Sequence, residues 1–168
     1  MNPLVLQVEE LPTPLGALLL ASRDGVLHAV DWKDCQARMH RLLAGAALVP
    51  GRARSAAHRA LDRYFAGEVA AIDALAVEPR GTPFQRAVWR ALREIPAGET
   101  SSYGALARRL GRPDAARAVG AANGANPLSV VVPCHRLVGA GGALTGYGGG
   151  LARKAWLLDH EGRALPPR

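Results

Sequence analysis

Apolar residues at alternate positions open the chain. Leu4, Leu6 and Val8 alternate as a half-buried strand should, and Pro12-Thr13-Pro14 marks a turn after them. Apolar runs at residues 15–21 and 26–32 flank Ser22-Arg23-Asp24-Gly25, where Asp-Gly predicts a hairpin. The period then changes. Residues 37–43 suit a short helix. Residues 55–66 suit a better one, with Ser55 as cap, Ala57, Leu61, Tyr64 and Phe65 on one face, and Gly67 as the stop.

A boundary falls near Glu78-Pro79-Arg80-Gly81. Directly after it, Thr82-Pro83-Phe84-Gln85 is a capping box with proline at the first helical position. Phe84, Val88, Leu92 and Ile95 form the apolar stripe of that helix, Arg86, Arg90 and Arg93 lie off it, and Pro96-Ala97-Gly98 ends it. Two shorter helices are expected at about 103–110 and 114–122, separated by Gly111-Arg112-Pro113. Helix, tight turn and helix suggest a helix-turn-helix.

The second of these helices can be laid on a wheel at about 100° per residue. With Val119 toward the core, Ala115 and Ala122 sit beside it. Arg117 and Ala121 point away, flanked by Ala118 and Gly120. A helix that reads base edges carries Asn, Gln, Arg or Ser on its outer face. This one offers small residues around a single arginine, which suits close backbone approach to a narrow groove without regard to sequence. An alanine-rich helix buried on two sides gives the same wheel.

Charge separates the halves. Residues 1–79 carry 8 basic and 9 acidic side chains, whereas residues 80–168 carry 13 basic and 5 acidic. The second half alone has the electrostatic footprint of a nucleic-acid-facing domain. At 49% apolar content the chain has ample material for a core. No apolar run approaches the roughly 18 residues of a membrane span, so no membrane partner is expected. The start, Met1-Asn2-Pro3-Leu4, lacks the basic opening of a signal peptide. With two cysteines, Cys35 and Cys134, and no export signal, a reduced, cytoplasmic location is expected. His28, Cys35, His40 and His58 are scattered, so neither a metal site nor a cofactor is expected.

The chemistry concentrates at Ser129-Val-Val-Val-Pro-Cys-His-Arg-Leu-Val138. Val130, Val131 and Val132 read as a strand covered on both faces, and Pro133 should end it and present Cys134 at a turn. A thiol at the rim of a core, beside an imidazole and a cation, is placed to become a thiolate nucleophile. An inert buried cysteine fits those residues equally well.

Further motifs break the tie. Pro133-Cys134-His135-Arg136, with Ala115-Ala-Arg117-Ala-Val119-Gly120 and Asn126-Pro127 upstream, resembles the O6-alkylguanine-DNA alkyltransferase family, single-polypeptide bacterial type. Thr145-Gly-Tyr147-Gly-Gly-Gly150, Lys154-Ala-Trp-Leu-Leu158 and His160-Glu161-Gly162 carry the likeness to the end of the chain, from about Gly81 onward. Residues 1–79 are similar more loosely, chiefly at Tyr64-Phe-Ala-Gly-Glu68.

The resemblance implies an α+β protein. Residues 1–79 would form an N-terminal domain with a small ribonuclease-H-like sheet and helices. Residues 80–168 would form a C-terminal winged-helix-like helix-turn-helix domain carrying the active site. It implies stoichiometric, irreversible transfer of an alkyl group from guanine O6 in double-stranded DNA to Cys134, with O4-alkylthymine a further candidate substrate. Glu161 would orient His135, which acts through a water as base toward Cys134. Arg117 would fill the stack vacated by the flipped base, and Ala116, Ala118, Gly120 and Ala121 would pack into the minor groove. Tyr103, Leu137, Tyr147 and the Gly148 N–H would hold the base, and Asn126 would tie the helix pair to the active-site segment. A monomer is expected, with cooperative binding left open.

Two positions depart from the family pattern. Gly148 stands where a small residue with a side chain is frequent, so a roomier pocket tolerant of alkyl groups larger than methyl is expected; Ala155 replaces a frequent glutamate beside Lys154. A lesion-binding protein without transfer activity, a helix-turn-helix regulator and a cysteine hydrolase are the competing readings. The first carries tryptophan where Cys134 stands, the second needs a reading face, and the third would turn over.

Overall fold

The computed structural model describes residues 2–51 and 54–163, and it divides into two compact units. The first comprises the chain up to Arg80 together with Pro127–Val131, and the second comprises Gly81–Asn126 and the residues from Val132 on.

The first unit is built on a four-stranded sheet. Strands β1 (Val5–Leu11), β2 (Leu18–Arg23) and β3 (Val26–Trp32) form an antiparallel meander, and β4 (Ala47–Pro50) adds in parallel to β1, giving the order β3-β2-β1-β4. The β2–β3 turn has positive φ at Asp24 (51°) and Gly25 (80°), the two central residues of a type I′ turn, as the Asp-Gly pair requires. Leu6, Ala21 and Ala29 project to one face, where Met39 and Leu43 from α1 (Gln36–Leu42) and its end close over them. The paired residues Leu18↔Trp32 and Leu20↔Val30 bury the opposite face. Here α2 (Ala56–Phe65) packs near β1, with Leu61 and Tyr64 buried. Ser55 caps α2 by accepting from the His58 N–H at 3.2 Å. Glu9, buried on β1, receives the Ser55 N–H at 2.8 Å. The outer edge of β3 is covered by single bridges, Leu27↔Val77 and Val30↔Leu128, which blunts an otherwise open edge.

That last bridge corrects one reading. Val130, Val131 and Val132 are buried but do not form a strand. Val130 has φ 71°, an uncommon and strained value for a β-branched residue. The Val131 N–H turns back to Ser129 O, and the Cys134 N–H to Val132 O, each at 2.8 Å. Valine runs report burial, and here burial is met by successive tight turns rather than by a ladder.

The second unit is mainly helical. In α3 (Pro83–Arg93) the Thr82/Gln85 capping box is present, and Val88, Trp89, Ala91 and Leu92 are buried. Gly81 is needed for close approach: a Cβ there would fall 2.5 Å from the Trp89 ring. The helix-turn-helix is α4 (Tyr103–Arg109) followed by α5 (Ala116–Gly124). Gly111 (φ 73°) closes α4, with Gly111 N–H to Arg108 O and Arg112 N–H to Ala107 O, the paired bonds of a Schellman ending. Trp89 Nε1 donates to Ala122 O at 2.8 Å and pins α3 to α5. Two short strands, β5 (Ser101–Ser102) and β6 (Leu137–Val138), pair in parallel, and α6 (Leu151–Arg163) completes the unit. No helix among the described residues is long and apolar enough to cross a membrane.

Candidate active site and nucleic-acid interface

Cys134 opens a single 3-10 turn, Cys134–Arg136, all of it buried. Such a turn, sunk in the unit without a ladder, must still satisfy its backbone carbonyls. Two asparagines do so: Asn126 Nδ2 donates to Val132 O at 2.9 Å, and Asn123 Nδ2 donates to Cys134 O at 3.3 Å. The carbonyls on either side of Pro133 are therefore held by side-chain amides, and the position of the thiol is fixed through its own backbone.

The residues after Cys134 form a closed ionic cluster. Glu161, on the last helix, is fully buried, and both of its oxygens lie 3.0 Å from His135 Nε2. Arg136 grips the same carboxylate, Nε to Oε1 at 3.0 Å and a terminal nitrogen to Oε2 at 2.7 Å, and donates to Ile95 O at 2.6 Å. Burial alone would raise the Glu161 pKa; the charge and hydrogen bond of His135, then the bonds and charge of Arg136, outweigh it and hold it at about 2. Burial pushes the His135 imidazole below its ordinary value; the charge and hydrogen bond of Glu161 oppose this, and the charges of Arg136 and Lys154 add to it. An ionised carboxylate can only accept, so Nε2 carries the ring proton and Nδ1 presents a lone pair. His135 Nδ1 is buried and has no hydrogen-bond partner among the described residues. The turn thus holds a nucleophile-type side chain followed by an imidazole set in its basic tautomer.

Lys154 was legible in sequence only as part of a motif, and its place is unexpected for a lysine. It is fully buried, and its Nζ donates to Leu137 O (2.7 Å), Thr145 O (2.6 Å) and Gly146 O (3.4 Å). Burial lowers its pKa, and the negative charge available at Cys134 opposes that shift. All three ammonium hydrogens have acceptors, so the side chain ties the glycine-rich loop to β6 with no carboxylate partner among the described residues. The substitution at Ala155, an exposed position, leaves this arrangement intact.

A cleft of about 550 Å³ opens in the same unit, lined by Tyr103, Gly120, Asn123 and Gly124 on one side and by Gly139 and residues 145–148 on the other. The Tyr103 ring lies 3.6 Å from where a Cβ on Gly120 would sit, and its hydroxyl accepts from Thr145 Oγ1 at 3.2 Å. Tyr147 and Gly148 therefore line this cleft. Leu137 does not: it is fully buried in β6. Among the described residues no cluster of three or more His, Cys, Asp or Glu is placed to hold a metal ion.

On α5 the wheel is observed. Val119 and Ala122 are buried, Arg117, Ala118 and Ala121 are exposed, and Ala116 and Gly120 are half-buried. Arg86, Arg90, Arg108, Arg109 and Arg112 are also exposed on this unit, whereas Arg136 and Lys154 are interior. Among the described residues, the exposed arginines of this unit therefore lie on α3, α4, the turn and α5.

Residues 83–163 match the family described as 6-O-methylguanine DNA methyltransferase, DNA binding domain, and residues 9–79 match its ribonuclease-like domain. A Salmonella typhimurium protein named methylated-DNA–protein-cysteine methyltransferase is 51% identical over 164 residues, covering 94% of this chain and 96% of that protein. One of the same name from Mycolicibacterium paratuberculosis is 49% identical over 162 residues, covering 96% of each. The crystal structure of Mycobacterium tuberculosis O6-methylguanine methyltransferase matches with a TM-score of 0.80 at 42% identity, over 97% of this chain and 96% of that one. A structure from the same organism in complex with DNA gives the same values. Fold and matches together define a transferase with a DNA-binding half. The chain belongs to the methylated-DNA–protein-cysteine methyltransferase family, as the motifs around Cys134 suggested.

Proposed function

We propose that the protein repairs alkylated DNA by direct reversal, taking the alkyl group from guanine O6 onto Sγ of Cys134. O4-alkylthymine is a second substrate. The observation that carries the reading is His135 held by Glu161 at 3.0 Å, its Nδ1 without a hydrogen-bond partner among the described residues, in the turn that begins with Cys134. A free thiol of pKa about 8.5 is only a few per cent ionised at neutral pH. The lone pair on Nδ1 takes the thiol proton through a water, while Glu161 holds the ring and Arg136 keeps Glu161 charged. Sulfur forms the new bond to the alkyl carbon as its bond to O6 breaks. The electron pair leaves on guanine, and the Gly148 N–H at the cleft wall stabilises O6. A thioether has no hydrolytic exit, so each chain acts once.

The target atom lies inside a duplex, so the nucleotide is turned out into the cleft at a cost of a few kcal/mol. Tyr103 and Tyr147 hold the base, with Leu137 behind. Arg117 occupies the vacated place in the stack, and the small residues Ala116, Ala118, Gly120 and Ala121 let α5 enter the minor groove. Asn126 couples that helix pair to the nucleophile's segment. Residues 1–79 and 80–168 act as its two domains. The protein works as a cytoplasmic monomer on double-stranded DNA, with any cooperativity arising between chains along the duplex, and it uses no cofactor.

Intact mass after incubation with excess O6-methylguanine duplex tests this. The expected result is a gain of about one methylene, saturating at one per chain and absent in Cys134→Ala. Retained lesion binding with no adduct would contradict it.

A further inference from the structure

Val130 takes a backbone conformation that its residue type opposes. It is wholly buried and has φ 71°, a value that glycine adopts freely and β-branched residues avoid. The Val131 N–H returns to Ser129 O at 2.8 Å, so Val130 is the centre of a γ-turn with positive φ, the rare and strained form. Next, the Cys134 N–H returns to Val132 O at 2.8 Å around Pro133 (φ −81°, ψ 67°), which is the inverse γ-turn and the common form. The chain therefore reaches Cys134 through two γ-turns of opposite hand.

Proline forms the second turn unaided, because its ring holds φ at roughly −65°. The first is imposed from both sides. Ahead of it, Val30 on β3 donates its N–H to Pro127 O and accepts from the Ser129 N–H, each at 2.9 Å. Behind it, Asn126 Nδ2 holds Val132 O at 2.9 Å. Strain of this kind persists only where the surroundings over-determine it, and it collects at functional sites. Were residue 130 to relax to negative φ, the chain after it would leave in another direction, carrying Val132 O, Pro133 and the Cys134 backbone with it. We propose that the left-handed turn at Val130 sets the position of Cys134 for attack on the alkyl carbon. Val130 is then a positioning residue that acts through the backbone of residues 131–133. The inference rests on Cys134 being the acceptor in the proposed reaction. What the reaction needs is the sign of φ at this position; the valine side chain is there to be buried.

Two substitutions separate this from packing. Val130→Gly keeps the turn without strain but removes the whole buried side chain; Val130→Ala keeps more of the side chain but favours negative φ. A residue that only fills space loses stability in order of size, from valine to alanine to glycine, and leaves the chemistry of the folded molecules alone. The test is single-turnover methyl transfer from an O6-methylguanine duplex at varied protein concentration, scored per folded molecule with urea unfolding alongside. The maximal rate of Val130→Gly is expected within about three-fold of wild type, and that of Val130→Ala about 10- to 100-fold lower, because a misplaced nucleophile slows the chemical step. The half-saturating concentration should stay the same in all three proteins, and Val130→Gly should be at least as stable as Val130→Ala. An alanine variant that fails to fold beside a glycine variant that folds and transfers would support the proposal equally. Maximal rates that fall in order of size, or that are equal in all three, would overturn it. So would a glycine variant that does not fold, or an effect confined to half-saturation. Absence of any wild-type transfer from O6-methylguanine would instead defeat the proposed function itself.

Discussion

Each half of the molecule buries an arginine–carboxylate pair, and the two pairs are built differently. In the first half, Asp31 on β3 is 3% exposed and receives Arg38 Nε at 2.9 Å, a second Arg38 nitrogen at 2.6 Å and the Trp32 N–H at 2.8 Å. Arg38 itself reaches the surface, with its side chain 20% exposed. The set joins α1 to the sheet, and its charges reach the Cys35 thiol, whose pKa burial and then Asp31 push up while Arg38 pulls it down. In the second half, Glu161 shares both of its oxygens with Arg136 and His135, and all three side chains are almost wholly inaccessible. A buried ion pair is thus no sign of chemistry by itself. What differs is the imidazole between carboxylate and turn, one nitrogen anchored and the other without a hydrogen-bond partner among the described residues.

Substitution of the two carboxylates should break the comparison most sharply. Glu161→Gln removes the charge that pairs with Arg136, so a loss of about 3–5 kcal/mol in urea unfolding is expected. Transfer by the protein that remains folded should slow about 10²–10⁴-fold as the base loses its orienter. Asp31→Asn should cost about 1–3 kcal/mol, with the transfer rate per folded molecule unchanged. Equal catalytic effects at both sites would erase the distinction.

Lys154→Met comes next. It leaves the carbonyls of Leu137, Thr145 and Gly146 without their donor, for an expected loss of about 1–3 kcal/mol. Because the loop carrying Tyr147 and Gly148 is released, transfer should slow as well, and protease sensitivity within residues 139–150 should rise.

Acid offers a gentler probe. The folded pKa of His135 lies below its unfolded value of 6.5, so the unfolded chain binds more protons as the pH falls through that value. Stability should therefore decline from about pH 6.5 downward. His28, also shifted down chiefly by burial, adds to the same slope. The Glu161 contribution, present above its unfolded value of 4.5, should be lost between there and about pH 2. Urea midpoints across this range should show a shallower fall between pH 6.5 and 5 in His135→Phe than in wild type. The smallest effect is expected at Ser55→Ala, about 1 kcal/mol from the lost cap of α2 and no change in transfer.

Local signals carried much of this structure in the sequence. Asp24-Gly25 specified its hairpin, Thr82 and Gln85 their capping box, and the small outer face of α5 was present in the wheel. These depend on neighbours within a turn or two. The parallel strand β4 did not show, because Leu48 and Val49 give too short a run to mark a strand whose partner, β1, lies far back in the chain. The valines before Cys134 signalled burial but not geometry, since tight local turns and the side-chain amides of Asn123, on α5, and Asn126, in the segment after it, hold the backbone there. Glu161 became a partner of His135 through family likeness; its spacing alone names no contact. Lys154 reads as a surface charge until its three carbonyl acceptors are seen.

The central claim is that His135, neutral and held by Glu161, activates Cys134. The pH dependence of single-turnover methyl transfer in wild type and His135→Phe tests it most directly. With the base in place, the wild-type rate should stay within about two-fold from pH 8 down to 6.5 and fall only below that value. Without it, only the spontaneously ionised thiol reacts, and the rate should climb about tenfold per pH unit toward the ordinary thiol pKa of about 8.5. Superimposable profiles in the two proteins would contradict the account.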